Sequence, residues 1–130
     1  MTRPQIQSFK DLVVWQLGMD LADFCYEVTE SFPKHEIYGL RSQIRRSAVS
    51  VASNVAEGHA RFHTKDYIKH VSYAVSSLAE LDTEMRIAAR RGYITAEQLE
   101  RFERMAMEVR KKLYSLAASL RRHHGSADAA

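Results

Sequence analysis

Residues 43–58 read Gln43-Ile44-Arg45-Arg46-Ser47-Ala48-Val49-Ser50-Val51-Ala52-Ser53-Asn54-Val55-Ala56-Glu57-Gly58, and this stretch decides the fold. No proline interrupts it. Ile44, Ala48, Val51 and Val55 recur at steps of three and four, the period of an α-helix with one buried face. Ile37 and Leu40 extend that face upstream, so a helix is predicted from Ile37 or Tyr38 to Glu57. Val49, Ala52 and Ala56 form a second face of small residues that lets another helix come close. Gly58 is expected to cap the C-terminal end, because glycine accepts the left-handed conformation used there.

A third line in the same stretch is polar and mostly uncharged. Gln43, Ser47, Ser50, Asn54 and Glu57 follow steps of four, three, four and three, so they share one side of the helix. Polar groups covered by another helix must find partners. The line therefore reads as a hydrogen-bonded seam between helices or subunits, or as a groove for a ligand. It holds no histidine, cysteine or carboxylate pair, which favours the seam. Glu57 has no identifiable partner for acid–base work.

Three further helices surround this one. The first is predicted from Lys10 to Ser31, with Pro33 as the stop. The third runs from an N-cap at Thr64 to Arg90, with core residues Tyr67, Val71, Ala74, Leu78, Leu81, Met85 and Ala88. Arg90, Arg91 and Gly92 suit its end. The fourth opens on a capping box at Thr95 and Gln98. Its stripe is Leu99, Phe102, Ala106, Val109, Leu113, Leu116 and Leu120. Short connections favour neighbours that run in opposite directions. The expectation is all-α: an antiparallel up-down-up-down four-helix bundle over residues 10–122, with a lead-in at 1–9 and a frayed tail at 123–130.

The first helix is apolar on two faces. Val14, Leu17, Leu21, Phe24 and Val28 make one, and Leu12, Trp15, Met19, Ala22 and Tyr26 make the other. That exceeds the single apolar stripe one bundle helix needs. Either this helix is buried on two sides, or the second set presents a subunit interface, and those five residues are the candidate interface of a homo-oligomer.

At 130 residues the chain is long enough for one domain with a real core. Its single cysteine, Cys25, excludes an internal disulfide and lies on the apolar side of the first helix, where packing is its expected role. The sequence shows no secretory leader and no membrane-spanning run, so a cytoplasmic location without membrane association is expected. The six histidines include no core-facing Glu-x-x-His pair of the kind a metal site in a bundle uses. His59 and His63 straddle a loop, His70 is read as solvent-facing, and His123 and His124 fall in the tail. No metal, no cofactor and no catalytic residue is expected. Phosphate-binding glycine loops and nucleophile elbows are also absent.

The net charge is +3. Residues 1–62 balance, and the excess lies beyond them. Arg41, Arg45 and Arg46 cluster at the start of the second helix. Arg104, Lys111 and Arg122 align on one outward side of the fourth, with Arg101 and Lys112 nearby. These eight residues are the candidate contacts to a nucleic-acid backbone. Glu100, Glu103 and Glu108 lie among the latter group and would give an ordinary solvated face in a monomer. Repetition around a symmetric oligomer would turn the same patch into a strong field.

The motifs resemble those of the bacterial 23S rRNA intervening-sequence proteins. An early Phe-x-x-Leu-x-Val/Ile-Trp pattern is present as Phe9 to Trp15, followed by Phe32-Pro33, Tyr38-Gly39-Leu40 and Gln43. The strongest element is similar to Arg-x-Ala-x-Ser-Ile-x-x-Asn-Ile-Ala-Glu-Gly, here Arg46 to Gly58, with Val51 and Val55 where isoleucine is usual. Arg61, Ser77-Leu78-Ala79-Glu80-Leu81 and Gly92-Tyr93-Ile94 complete the resemblance over residues 9–120. It implies a four-helix bundle that forms ring-like homopentamers, with no established catalytic residues. A more distant similarity is to the accessory variability determinants of diversity-generating retroelements, basic pentamers that engage nucleic acid and a reverse transcriptase. RNA or DNA is therefore the first expected partner. The alternative is a scaffold that docks a partner protein on the polar line of the second helix.

Overall fold

A computed structural model of the chain describes residues 6–129, with side chains over 6–125. Four α-helices make up the fold: α1 (Val13–Thr29), α2 (Leu40–His59), α3 (Thr64–Arg90) and α4 (Ala96–Ala129). Short 3-10 turns at Phe9–Asp11 and Lys34–Glu36 precede α1 and α2. No strand occurs among the described residues.

The start of α1 is built by a reciprocal cap. Ser8 Oγ accepts from the Lys10 N–H at 3.1 Å, and the Asp11 carboxylate accepts from the Ser8 N–H at 3.1 Å. This turn replaces the first residues of the expected helix and sets Phe9 edge-on to Trp15, with ring centroids 5.3 Å apart. The second helix also begins later than its periodicity suggests. Gly39 adopts a non-helical backbone, and Glu36 Oε1 accepts from the Leu40 N–H at 3.2 Å, so Leu40 is the first helical residue. Ile37, expected in the core, is left 38% exposed.

Gly58 does not cap α2. It lies inside the helix and is buried, and α2 continues to His59. The one residue with positive φ among those described is Gly92, at 75°, in the turn after α3. Thr64 is the first residue of α3 and not its cap, which is His63. The capping box of α4 forms as its sequence predicts: Thr95 Oγ1 accepts from the Gln98 N–H at 3.0 Å, and Gln98 Oε1 accepts from the Thr95 N–H at 2.8 Å. The fourth helix does not stop at Arg122. It continues through His123 and His124 to Ala129, because no proline or left-handed glycine ends it.

The core combines one stripe from each helix. Leu21, Ile44, Val51, Val55, Val71, Leu81, Met85, Phe102, Val109 and Leu113 are fully buried, with Phe24, Val28 and Leu78 nearly so. Crossing geometry is set by small residues where α1 meets α2. A methyl added at Gly18 would lie 3.3 Å from Ala52 Cβ, so glycine on one helix and alanine on the other bring the backbones together. Of the small-residue face of α2, Ala52 is thus used within the subunit, while Val49 stays exposed.

Candidate functional site

The polar line of α2 faces α3. Ser50 Oγ and Ser77 Oγ share a hydrogen bond of 2.8 Å. Asn54 Nδ2 donates to Ser50 O at 2.9 Å and to Ser50 Oγ at 3.0 Å. Asn54 Oδ1 lies 3.2 Å from His70 Nδ1, and Glu57 Oε2 lies 3.6 Å from the same nitrogen. Ser47, buried, faces the Glu84 carboxyl and holds it down against the upward push of burial, while Glu84 Oε1 is buried without a hydrogen-bond partner among the described residues. Gln43 is exposed at the start of the line and stands apart from these contacts.

The partners on α3 form their own line. His70, Ser77 and Glu84 are seven residues apart, two helical turns each time, so they share one face. The order of contacts along the two helices is opposed: Ser47 meets Glu84, Ser50 meets Ser77, and Asn54 meets His70. At the end of the seam the helices nearly touch. A methyl on Gly58 would sit 2.9 Å from both Tyr67 Cδ1 and His70 Cβ. Gly58 is glycine for lack of space. His70 is half-buried in this seam and does not face solvent as its sequence position suggested.

The arginines at the start of α2 divide into two kinds. Arg45 closes the end of α1: its Nε donates to Thr29 Oγ1 at 2.9 Å, and its terminal nitrogen donates to Tyr26 O and to Glu30 Oε2, both at 3.1 Å. The same guanidinium lies over the Tyr26 ring, 4.5 Å from its centroid. Thr29 is fully buried and in turn donates to Cys25 O at 2.7 Å. Arg45 is therefore a structural clasp, with Nε and one terminal nitrogen engaged at the end of α1. Arg41 pairs with Glu30 at 3.6 Å. Arg46 is exposed and makes no ion pair among the described residues.

On α4 the separation is sharper. Arg104, Lys111, Lys112 and Arg122 are exposed, and none makes an ion pair with a described residue. Arg101 lies over the Phe24 ring at 5.0 Å. Of the three glutamates interleaved with these cations, one is engaged elsewhere, and Glu100 and Glu108 remain exposed among them. Glu103 pairs with Arg86 of α3 at 3.0 Å, and Arg110 with Asp82 at 3.6 Å. No group of three or more potential metal ligands exists among the described residues. No helix there is long and apolar enough to cross a membrane.

Residues 10–115 match the family described as 23S rRNA-intervening sequence protein. The chain belongs to that family. The match covers all of α1 to α3 and most of α4, and it contains the whole seam. A comparison with curated proteins finds no match. Among solved structures, the chain is similar to a protein of unknown function from the S23 ribosomal protein family of Bacteroides thetaiotaomicron. The two share 24% identity and a TM-score of 0.75, over 81% of this chain and 98% of the other. That likeness speaks for the fold.

Within this intervening-sequence family member, the candidate interface residues on α1 separate as well. Ala22 is buried in the subunit's own core, and Leu12 and Trp15 pack against that core. Met19 and Tyr26 remain 41% and 44% exposed, beside Val49 of α2 at 43%. Sequence reasoning missed Thr29, His70, Ser77 and Glu84 as partners. The heptad spacing of the last three was a usable signal. Thr29 carried none, because only the crossing of α1 and α2 sets it opposite Arg45.

Proposed function

We propose that this chain is a non-enzymatic antiparallel up-down-up-down four-helix bundle that assembles into a ring-like homopentamer and binds RNA or DNA through basic surfaces repeated around the ring. The opposed order of the α2–α3 contacts supports the direction of the helices. Membership of the 23S rRNA-intervening sequence protein family is consistent with the ring. Met19, Tyr26 and Val49 offer the exposed apolar surface such an assembly would cover.

The observation that carries the nucleic-acid reading is the set of unpaired cations on α4. Arg104, Lys111, Lys112 and Arg122 point to solvent, and of the acids interleaved with them Glu103 is drawn off to Arg86 while Glu100 and Glu108 stay exposed. Cations without internal partners are free to neutralise phosphates, and symmetry multiplies their field. The polar line of α2 is engaged by α3, which argues against its use as a docking strip for a partner protein.

Two measurements test this. Light scattering on the purified protein should return five times the subunit mass, and Met19→Glu should lower it. Filter binding to a structured RNA should weaken as salt rises, and Arg104→Gln with Lys111→Gln should reduce the salt slope by about two. Absence of binding at low salt would sink the nucleic-acid reading.

A further inference from the structure

The end of the bundle where α2 turns into α3 carries a feature that the α4 face lacks. Phe62 is 100% exposed, at the tip of the connection between the two helices. A phenylalanine ring held wholly in water is an unfavourable placement that burial or stacking on a partner would relieve. The surroundings carry a modest positive excess. Three shallow depressions meet at this tip; Asp66 lines all three, and Arg61, Phe62 and His63 each line two. Lys65 lines one of them together with His124 from α4, and Lys69 lines another. The fold thus brings the far end of α4 beside the connection at His124, with Arg121 about one helical turn earlier. Glu57 and Asp66 are the acidic groups lining these depressions. Arg61, Lys65 and Lys69 line the same depressions, three cations against those two acids.

We propose that this end is a site for single-stranded nucleic acid, with an unpaired base stacked on Phe62 and the flanking phosphates held by Arg61, Lys65 and Lys69. The inference rests on the reading of the protein as a nucleic-acid binder, and it places a distinct, strand-selective contact away from the α4 face. The chemistry selects this occupant. A flat exposed ring within a cation cluster matches the alternation of base and phosphate, since every base has a stacking face and every linkage a negative charge. A paired duplex keeps its bases stacked internally and offers the ring nothing. A second copy of the same end would oppose like charges.

Fluorescence anisotropy with labelled oligo-U and oligo-dT, each against a duplex of equal length, tests the site. Both single strands should bind more tightly than the duplex to this site. Phe62→Ala should weaken single-strand binding by about 5- to 100-fold, and Phe62→Trp should retain it. Lys65→Gln with Lys69→Gln should lower the salt slope by about 1.4. The ring contacts nothing it would take with it, so the fold should persist, as circular dichroism would record. Unchanged single-strand affinity in Phe62→Ala, with the salt slope still lowered in the Arg104→Gln, Lys111→Gln variant, overturns this site and leaves the α4 reading standing. Loss of the oligomer in Phe62→Ala assigns the ring to a subunit contact and also overturns it. Failure of every probe to bind at low salt overturns both readings together.

Discussion

His70 Nδ1 lies 3.2 Å from Asn54 Oδ1, and this pair closes the polar seam between α2 and α3. Asn54 uses its amide in both directions, donating back to Ser50 and accepting from across the interface. Replacing it by alanine leaves His70 and Ser50 short of partners in a half-buried position. Asn54→Ala should therefore cost about 1–3 kcal/mol of folding stability. Urea denaturation measures it, and a loss below about 0.5 kcal/mol would show that water replaces the amide.

Two glycines in α2 and α4 should respond oppositely to the same substitution. At Gly58 the added methyl meets Tyr67 and the Cβ of His70 at 2.9 Å, and that Cβ is fixed by its backbone. Overpacking should outweigh the helix-propensity gain, for a net loss of about 1–2 kcal/mol in Gly58→Ala. At Gly125 nothing lies within 4 Å, so Gly125→Ala should be neutral or stabilising by up to about 1 kcal/mol. Denaturant midpoints of the two variants decide between packing and cap: a harmless Gly58→Ala would remove the close contact from the account.

Arg45 and Arg46 are adjacent in sequence and should separate in experiment. Arg45→Lys cannot reproduce a guanidinium that reaches Thr29, Tyr26 and Glu30 at once. It should lose about 1–2 kcal/mol of stability. Arg46→Gln should stay within about 0.5 kcal/mol, because its side chain is exposed and unpaired. Thermal melts of both variants check this. Equal losses would mean that the clasp contributes little.

Glu36 and Glu84 should leave opposite signatures in pH. The Leu40 N–H, then the Tyr93 hydroxyl, hold the Glu36 carboxyl below its ordinary value. Its support is present above the unfolded value and is lost as pH falls through the folded one. Burial pushes the Glu84 carboxyl up, helped by Glu80 and opposed by Ser47. For an acid shifted upward, stability is greatest below the unfolded value and is lost as pH rises through the folded one. Glu84→Gln should thus be more stable than the parent at pH 7 and converge with it near pH 4, whereas Glu36→Gln should be less stable at pH 7 and converge at low pH. Denaturation at both pH values reads the crossing, and parallel curves would refute it.

Cys25 should be chemically silent in the folded protein. Burial, then the nearby Glu84, pushes its thiol up to about 12. A thiol reagent at pH 8 should react only in denaturant, because the nucleophilic thiolate is both unformed and inaccessible. Rapid labelling of the native protein would show that α1 opens locally.

Much of this molecule was legible along the chain. Steps of three and four from Ile44 to Val55, from Val71 to Ala88 and from Phe102 to Leu113 announced three helices and their buried faces. The Thr95–Gln98 box announced a helix start. These features depend on residues within one or two turns of each other, so local periodicity and capping are enough to reveal them. The polar line from Ser47 to Glu57 was equally visible, and so was the need of its groups for partners.

What met each group was settled by packing. Gly58 resembles a helix stop in sequence, yet the approach of Tyr67 and His70 makes it a contact glycine. Arg45 resembles its neighbour Arg46 as a free cation, yet the crossing of α1 over α2 sets Thr29 and Glu30 against it. Ala22 belongs to an apolar strip that looks available to another subunit, yet the core takes it. Phe62 gave no sign of its setting until α4 was found to run past Arg122 and bring His124 to the same end. Local sequence sets which backbone hydrogen bonds form and which side of a helix is apolar. Partners distant in the chain are set by helix crossing, and crossing depends on side-chain volumes summed over the whole core.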